Sequence, residues 1–270
     1  MEFTPASPPK KVMVIGGGPG GLNVAWVAAK RGHEVHLYEK QATLGGQLIL
    51  GSITSYKKEL LSLIEYQKTQ IKKFGVRCHM NVEVTLDTIK EENPDVIILA
   101  TGSSPVTPPV PGIDKPIVST FIEVFNGYKP AKRRTVVVGG GATGCEVALH
   151  LSENGCPVTI VEQLPKIGGQ LESITKKVMI SKMKENGIQS MPGYRLSKVE
   201  DNGVLVTDQE GNEVFIEAES VVVSIGNKPD NNLYDEIKSL GKELYQIGDC
   251  LEPRSAKAAI YEGAVIGRAI

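Results

Sequence analysis

A single passage, written twice, constrains this chain more than anything else in it. The apolar run Val12-Met13-Val14-Ile15 leads directly into Gly16-Gly17-Gly18-Pro19-Gly20-Gly21. The same text returns 123 positions later, as Val136-Val137-Val138 followed by Gly139-Gly140-Gly141-Ala142-Thr143-Gly144. Each copy continues as an apolar helical pattern, over residues 22–30 in the first and up to Leu151 in the second, and Gly32 and Gly155 end those helices. Val35-His36-Leu37-Tyr38-Glu39 and Val158-Thr159-Ile160-Val161-Glu162 then read as strands. Both copies reach the tetrapeptide Gly-Gly-Gln-Leu, at 45–48 and 168–171, and the register holds without gaps from Val14 to Leu48. A strand–turn–helix–strand unit of about 30 residues is the βαβ unit of parallel sheets. Two copies at so long a period indicate a duplicated domain rather than a solenoid. The fold expected is α/β, with two Rossmann-like domains in one chain.

Further elements match after each copy. The first is followed by an amphipathic helix over 56–74, short strands at 77–80 and 82–85, and a buried-looking strand from Asp95 that ends in Ala100-Thr101-Gly102. The second is followed by a helix over 173–186, strands near 195–200, 203–208 and 213–217, and another buried strand that ends at Gly226. Proline-rich connectors at 104–116 and 227–232 flank the second copy, and proline stiffens such segments into a two-stranded hinge. The chain is therefore expected to leave its first domain, build the second from residues 104–226, and return to finish the first, made of 1–103 and 227–270.

Composition removes several function classes. The 270 residues fit two domains at roughly 100–200 residues each. Lysine plus arginine (30) balances aspartate plus glutamate (31), so the basic footprint of a non-specific nucleic-acid binder is missing. The apolar runs fall far short of the ~20 residues that a membrane span needs. Cys78, Cys145, Cys156 and Cys250 form no CxxC pair, which gives no spacing for zinc, an iron–sulfur cluster or a dithiol. The proline-rich start, MEFTPASPPKK, lacks the apolar stretch of a signal peptide and reads as a disordered tail or a linker stub. A reducing cytoplasm is the default location. His33, His36, His79 and His150 are scattered and read as surface residues.

A lone GxGxxG is a weak signal, but here it follows a strand, opens a helix and precedes an acidic strand end, which is its functional context. Gly16 would make the tight turn, Gly18 would admit a pyrophosphate to the backbone, and Gly21 would let helix and strand pack closely. The helix N-terminus adds free N–H groups and about half a positive charge. Glu39, and Glu162 in the second copy, would accept from ribose hydroxyls. Lys166 is the only cation close after Glu162 in the sequence. A 2′-phosphate ~4 Å from a carboxylate is repelled by about 1 kcal/mol per charge pair in water and about 4 near a protein surface. NADH should therefore be preferred over NADPH by roughly tenfold or more. Near the end, an apolar run reaches Gly248-Asp249 before a helical stretch at 255–268. That arrangement suits ribitol hydroxyls and the charge of a reduced flavin. Gly-Asp is also ordinary turn chemistry, and this motif alone leaves both readings open.

Taken together, these residues resemble the two-dinucleotide-binding-domain flavoproteins. More closely they resemble the carboxy-terminal FAD/NAD(P) module of the 2,4-dienoyl-CoA reductase, 2-enoate reductase and trimethylamine dehydrogenase family. PPKKVMVIGGGPGG, LYEK…LGGQL and GDCLEPRSAKAAIYEGAVIGRAI carry the likeness, which covers about residues 10–270. The resemblance implies two Rossmann-like domains of the three-layer ββα type, with the NAD domain inserted into the FAD domain. It implies that Gly16, Gly18, Pro19, Gly20 and Gly21 hold the FAD pyrophosphate, with Glu39 and Lys40 at the adenosine ribose. Gly46, Gln47 and Leu48 would approach the flavin, Val84 the adenine, and Ala100, Thr101 and Gly102 would line the same cofactor. Gly248 and Asp249 would take the ribitol, with Ala258 and Ala259 near the pyrimidine ring. Gly139, Gly141, Ala142, Thr143 and Gly144 would bind the NADH pyrophosphate, with Glu162 on its ribose and Gly226 closing the site. Glu146 is either a group at the nicotinamide–flavin junction or a first-turn glutamate favoured by the helix dipole.

The activity implied is hydride transfer from NADH to FAD, with electrons passed on to a separate acceptor, such as an FMN/4Fe-4S barrel domain or a partner subunit. The family's larger members carry an FMN barrel and a four-cysteine cluster that this sequence does not contain, so it reads as a natural subunit or a fragment. The rival expectation is a module that holds ADP or a dinucleotide without turnover.

Overall fold

The computed structural model describes residues 3–54, 56–129, 131, 133–169 and 171–270, so Gln170 of the second Gly-Gly-Gln-Leu lies outside the described residues. The chain divides into two compact units, Met1–Ser104 with Lys228–Ile270, and Pro105–Asn227. The first unit begins with β1 (Lys11–Ile15), α1 (Pro19–Lys30), β2 (Glu34–Glu39), α2 (Gln47–Gly51), α3 (Leu60–Lys73), β3 (Arg77–Met80), α4 (Leu86–Glu92) and β4 (Val96–Leu99). A connector strand, β5 (Ser103–Pro105), follows. The second unit contains β6 (Val118–Thr120), α5 (Phe121–Phe125), β7 (Thr135–Val138), α6 (Ala142–Glu153), β8 (Val158–Glu162), α7 (Ser173–Glu185) and β9 (Gln189–Pro192). It ends with β10 (Arg195–Glu200), β11 (Gly203–Thr207), β12 (Glu213–Glu217) and β13 (Ser220–Val223). The return connector β14 (Asn227–Pro229) pairs with β5, and the first unit closes with α8 (Tyr234–Lys238), β15 (Glu243–Gln246), a 3-10 turn at Gly248–Cys250 and α9 (Ala256–Ala269).

The first sheet has the order β15-β4-β1-β2-β3 and every pair is parallel. The second has the order β6-β13-β7-β8-β9 and is also wholly parallel. In both, the strand that carries the glycine turn is central and its successors run off to one side. The neighbour on the other side, β4 or β13, arrives later in the chain. This reversal opens a crevice at the carboxyl ends of the central strands, where ligands of such sheets bind. A parallel sheet is covered on both faces, which is why β4, β7 and β13 are apolar or buried at every position.

In the first unit α1 packs on one face of the sheet, joined by Ile71 of α3 and Ile266 of α9. The opposite face carries Ile89 of α4, Ile237 of α8 and Val84 against Met13, Ile97 and Leu99. In the second unit the ββα layering is complete. The antiparallel meander β10–β12 lays Leu196, Val199, Val204 and Val206 on Val136, Val138, Val221 and Val223. In the first unit the third layer is built from α4 and α8. Helix α9 approaches α1 through Ala259, Gly263 and Gly267, one turn apart each. A Cβ on Gly263 would come within 2.6 Å of Gly20 O. Only small residues allow that approach, and it fixes the last helix beside the first glycine turn.

The structure corrects several sequence expectations. Residues 82–85 are not a strand: Thr85 and Thr88 form a reciprocal capping box that starts α4. The helix expected from 56 begins at Leu60; ahead of it α2 ends in a turn, where Ser52 Oγ donates to Ile49 O (2.6 Å) and Thr54 Oγ1 to Gly51 O (3.1 Å). Helix α1 begins at Pro19, a residue suited to a first turn, where its missing N–H costs nothing. From Phe3 the described part of this segment is held against α1. Phe3 packs on Trp26 with ring centroids 5.9 Å apart, Lys30 sits over the Phe3 ring, and Arg31 Nε donates to Thr4 O. His33 and His36 are buried rather than on the surface. His33 accepts from Lys10 N–H and contacts Ile270 O, and His36 lies 3.2 Å from His79 Nε2. In each case a partner distant in sequence replaces water. Burial holds the His33 and His79 imidazoles below their ordinary range.

Candidate functional site

The two glycine turns are the same object built twice. Gly16 and Gly139 have φ of +110° and +108°, and a Cβ on either would overlap the carbonyl of Ala100 or Ser224 at the end of the neighbouring strand. Gly21 and Gly144 lie one helical turn on, where a Cβ would overlap the Gly16 or Gly139 carbonyl. These four glycines let strand, turn and helix touch. Gly18 and Gly141 differ from them: an added Cβ finds no atom within 4 Å. The space over those two residues is open, and it faces the start of α1 and of α6, neither of which has a side-chain cap. Gly20 packs on Ala259, while Ala142 and Thr143 form the half-exposed first turn of α6.

The acidic strand ends repeat as faithfully. Glu39 is buried and accepts from Gly17 N–H (2.7 Å) and Gln41 N–H (2.8 Å). Glu162 is buried and accepts from Gly140 N–H (2.6 Å) and Leu164 N–H (2.7 Å). Each carboxylate thus ties its glycine turn to the loop after the second strand, and each oxygen keeps a lone-pair direction for another donor. The Gly-Gly-Gln-Leu repeats add a third matched bond, Gly45 N–H to Gly17 O (2.8 Å) and Gly168 N–H to Gly140 O (2.7 Å).

In the first unit the fold gathers groups that are far apart in sequence. Gly46 packs on Gly18, where a Cβ would lie 3.0 Å from Gly18 Cα, and Leu48 is buried beside it. Gln47 Nε2 donates to Ser103 O (2.7 Å), and Ser103 Oγ donates to Asp249 Oδ2 (3.0 Å). Asp249 also accepts from Arg254 N–H, and Gly248 N–H donates to Glu262 Oε2 (2.7 Å), which Arg254 holds as an ion pair. Gln47, Gly248 and Asp249 are therefore brought together, through Ser103 and Glu262, which the sequence did not flag. Ser103 lies in no motif, and Glu262 lies within the carboxy-terminal run without being singled out there; their partners are 146 and 14 positions away. Thr101 Oγ1 donates to Asp230 O, and Gly102 O accepts from Asp230 N–H. Lys40 lies 3.8 Å from the Asp230 carboxylate and is half exposed. Val84 turns its side chain into the core, so any ligand there meets its backbone. Ala258 and Ala259 lie in the first turn of α9, where the N-cap Ser255 Oγ accepts from Ala258 N–H.

In the second unit Gly226 O accepts from Val106 N–H. Glu146 is buried in α6 and stands beside Cys145, whose thiol burial pushes up to about 12, with the Glu146 and Glu162 charges adding to the effect. Cys250 is likewise buried, donates to Leu99 O, and is raised by burial. Thiols held this way are inert. Under native conditions iodoacetamide is expected to label Cys78, which is exposed, though more slowly than a free thiol because partial burial of its sulfur raises the thiol. Cys145 and Cys250 should react only on unfolding. Mass-spectrometric mapping checks this, and native labelling of Cys145 would contradict it.

The surroundings of Glu162 need one correction. Sequence proximity pointed to Lys166 as the nearby cation, but the fold brings Arg195 from the start of β10 into a cavity of about 390 Å³ that Gln163 and Leu164 also line.

Both turns fit a dinucleotide. An open backbone position, an uncapped helix start and a buried carboxylate with unused acceptor directions meet at each one. Ser224 Oγ, at the crossing beside the second turn, is buried with no partner among the described residues.

Comparison with known proteins agrees with this geometry. A family model described as pyridine nucleotide-disulphide oxidoreductase matches residues 10–263. An NADH oxidase of Thermoanaerobacter brockii is 38% identical over 92% of this chain and 39% of its own length. A cinnamate reductase of Clostridium sporogenes is 35% identical over 97% of this chain and 39% of its own. Among solved structures, a 2-naphthoyl-CoA reductase in complex with 2-naphthoyl-CoA superposes with a TM-score of 0.96 at 33% identity, over the whole of this chain and 41% of that one. A thioredoxin reductase from T. acidophilum shares the fold at a TM-score of 0.75 and 19% identity, over 96% of both chains. The chain thus spans about two fifths of the length of the three more similar proteins.

Proposed function

This chain belongs to the pyridine nucleotide-disulphide oxidoreductase family, and from that premise we propose that it is an FAD-dependent NADH oxidoreductase module that hands electrons to a separate acceptor domain or subunit. The observation that carries the reading is the doubled set of bonds from Glu39 and Glu162 to their glycine turns. A structural βα turn needs no buried carboxylate, and two identical ones ask for two nucleotides. We assign FAD to the first unit, which has the Gln47–Ser103–Asp249 chain, and NADH to the second. When bound, the two cofactors supply hydride transfer between nicotinamide and flavin.

The residues of the chain bind and orient. The starts of α1 and α6 offer N–H groups and dipole charge to a pyrophosphate. Glu39 and Glu162 take ribose hydroxyls, and Asp249 takes ribitol hydroxyls while Ser103 holds its carboxylate. Glu146 is our candidate for the group nearest the nicotinamide. The onward acceptor, an FMN or iron–sulfur barrel domain or a partner subunit, is proposed because the more similar relatives are longer proteins that this chain spans in part. Four free cysteines fit a reducing cytoplasm.

Purified protein is expected to be yellow and to bleach when NADH is added without oxygen. Its kcat/KM should favour NADH over NADPH by about tenfold or more, since a 2′-phosphate would face Glu162. A colourless protein that takes up no FAD would favour a module that only holds a nucleotide. A clear NADPH preference would overturn the cofactor assignment.

A further inference from the structure

The internal repeat can be followed past the point where the sequence stops matching. In the first unit Asn81, with φ +58°, donates to Gln41 O (3.2 Å), and Val82 N–H donates to Glu39 O (3.0 Å). In the second unit Gly193, with φ +82°, donates to Leu164 O (3.0 Å), and Tyr194 N–H donates to Glu162 O (3.0 Å). A left-handed residue and its successor thus clasp the loop after the acidic strand end in both copies. The clasp sets Gly193 opposite Asn81 and Tyr194 opposite Val82. The next position is Glu83 in the first copy and Arg195 in the second, and the two then return to core at Val84 and Leu196.

That charge reversal sits in the cavity of about 390 Å³ noted above. One wall is Leu164, a leucine left half exposed two positions after Glu162. Arg195 also lines it, anchored at the start of β10 opposite Thr207. Asp208 lines it too, but its carboxylate is engaged. Oδ1 accepts from Glu210 N–H and Asn212 N–H, and Oδ2 from the Asn212 amide, each at 2.9 Å. Among the described residues the Arg195 guanidinium has no carboxylate partner. An aliphatic wall and an unneutralised planar cation line one open cavity next to a ribose-binding carboxylate. Such walls suit a flat, electron-rich heterocycle, which gains from apolar contact and from a guanidinium over its ring.

We propose that this cavity receives the adenine of the dinucleotide held by Glu162, and that Arg195 stacks on it as a positioning and specificity-determining residue. This rests on reading the second unit as the NADH site. The cavity distinguishes a whole dinucleotide from its nicotinamide half, because only the adenosine end reaches Arg195.

The test uses the full chain with saturating FAD, comparing wild type, Arg195→Ala and Arg195→Lys. Arg195 is exposed, so truncation leaves the core intact. By calorimetry, ADP-ribose is expected to bind Arg195→Ala about fivefold more weakly, with the NADH KM rising by the same factor at unchanged kcat. Turnover of reduced nicotinamide mononucleotide should not change. Arg195→Lys should recover less than half of the loss, since an ammonium lacks the guanidinium plane. Unchanged ADP-ribose affinity in Arg195→Ala, an equal loss with the mononucleotide, or full rescue by lysine would each overturn the inference. Should the wild type bind ADP-ribose in an Arg195-dependent way yet oxidise no NADH, the proposed activity falls and the cavity assignment stands. Should NADH be oxidised with no Arg195 dependence, the reverse holds.

Discussion

Gly144→Ala is expected to give a yellow protein that NADH no longer bleaches. The added Cβ overlaps the Gly139 carbonyl, so the first turn of α6 must move away from β7. Overpacking of this kind costs about 1–3 kcal/mol where neighbours can yield, and here the neighbour is backbone. The N–H groups at the start of α6 leave the position from which they meet a pyrophosphate, and kcat/KM for NADH should fall about 100-fold or more. The first unit has its own turn, its own sheet and its own core, so bound flavin should stay near the wild-type amount. The mirror substitution, Gly21→Ala, meets the Gly16 carbonyl and should give protein with little flavin. Absorbance spectra and anaerobic NADH titration of the two variants separate the effects. If Gly144→Ala oxidises NADH within a few-fold of wild type, the second turn is not the NADH site. If Gly21→Ala keeps its flavin, the first turn is not the FAD site.

The second large effect is expected at Glu39. Its carboxylate is the acceptor for two backbone donors, Gly17 N–H and Gln41 N–H, in a buried setting. Glu39→Ala leaves both without a partner, at about 1–3 kcal/mol each. For a unit of this size each kcal/mol shifts Tm by roughly 2–4 °C, so a fall of about 4–24 °C is expected even without flavin. Added FAD should restore little, because the ribose acceptor is lost with the same carboxylate. Glu162→Ala should melt the second unit by a comparable margin and raise the NADH KM about tenfold or more, while narrowing the preference over NADPH. Thermal scans with and without FAD check the first claim. A Glu39→Ala protein with unchanged Tm would show that the bond pair contributes nothing to the turn.

Much of this site was legible in the sequence because its chemistry is local. A glycine packed on the carbonyl of its own turn, a helix start without a cap and an acid at a strand end all lie within about 25 residues. Gly16, Gly18, Gly21 and Glu39 could therefore be named, and so could Gly139, Gly141, Gly144 and Glu162. The elements that went wrong are those where short side chains bond locally to the backbone. Thr85 and Thr88 turned an apparent strand into the start of α4, and Ser52 and Thr54 bond back to the end of α2 ahead of α3. Periodicity sees only apolar spacing and is blind to such bonds. His33 and His36 were misjudged for a related reason, since their partners are Lys10 with Ile270 and His79.

What the sequence determined by itself was the plan: two βαβ units of one design, two open glycine positions and two acidic strand ends. Repetition made that plan readable, because a pattern found twice in one register is not an accident of glycine content. Which distant groups complete each site was decided by the tertiary structure alone. Parallel strands place their carboxyl ends side by side whatever their order in the chain. Ser103 thus reaches Asp249 across 146 positions, and Arg195 arrives from another layer beside Gln163 and Leu164. No spacing rule connects those pairs. They meet because the sheet order, and not the chain order, sets which loops share an edge.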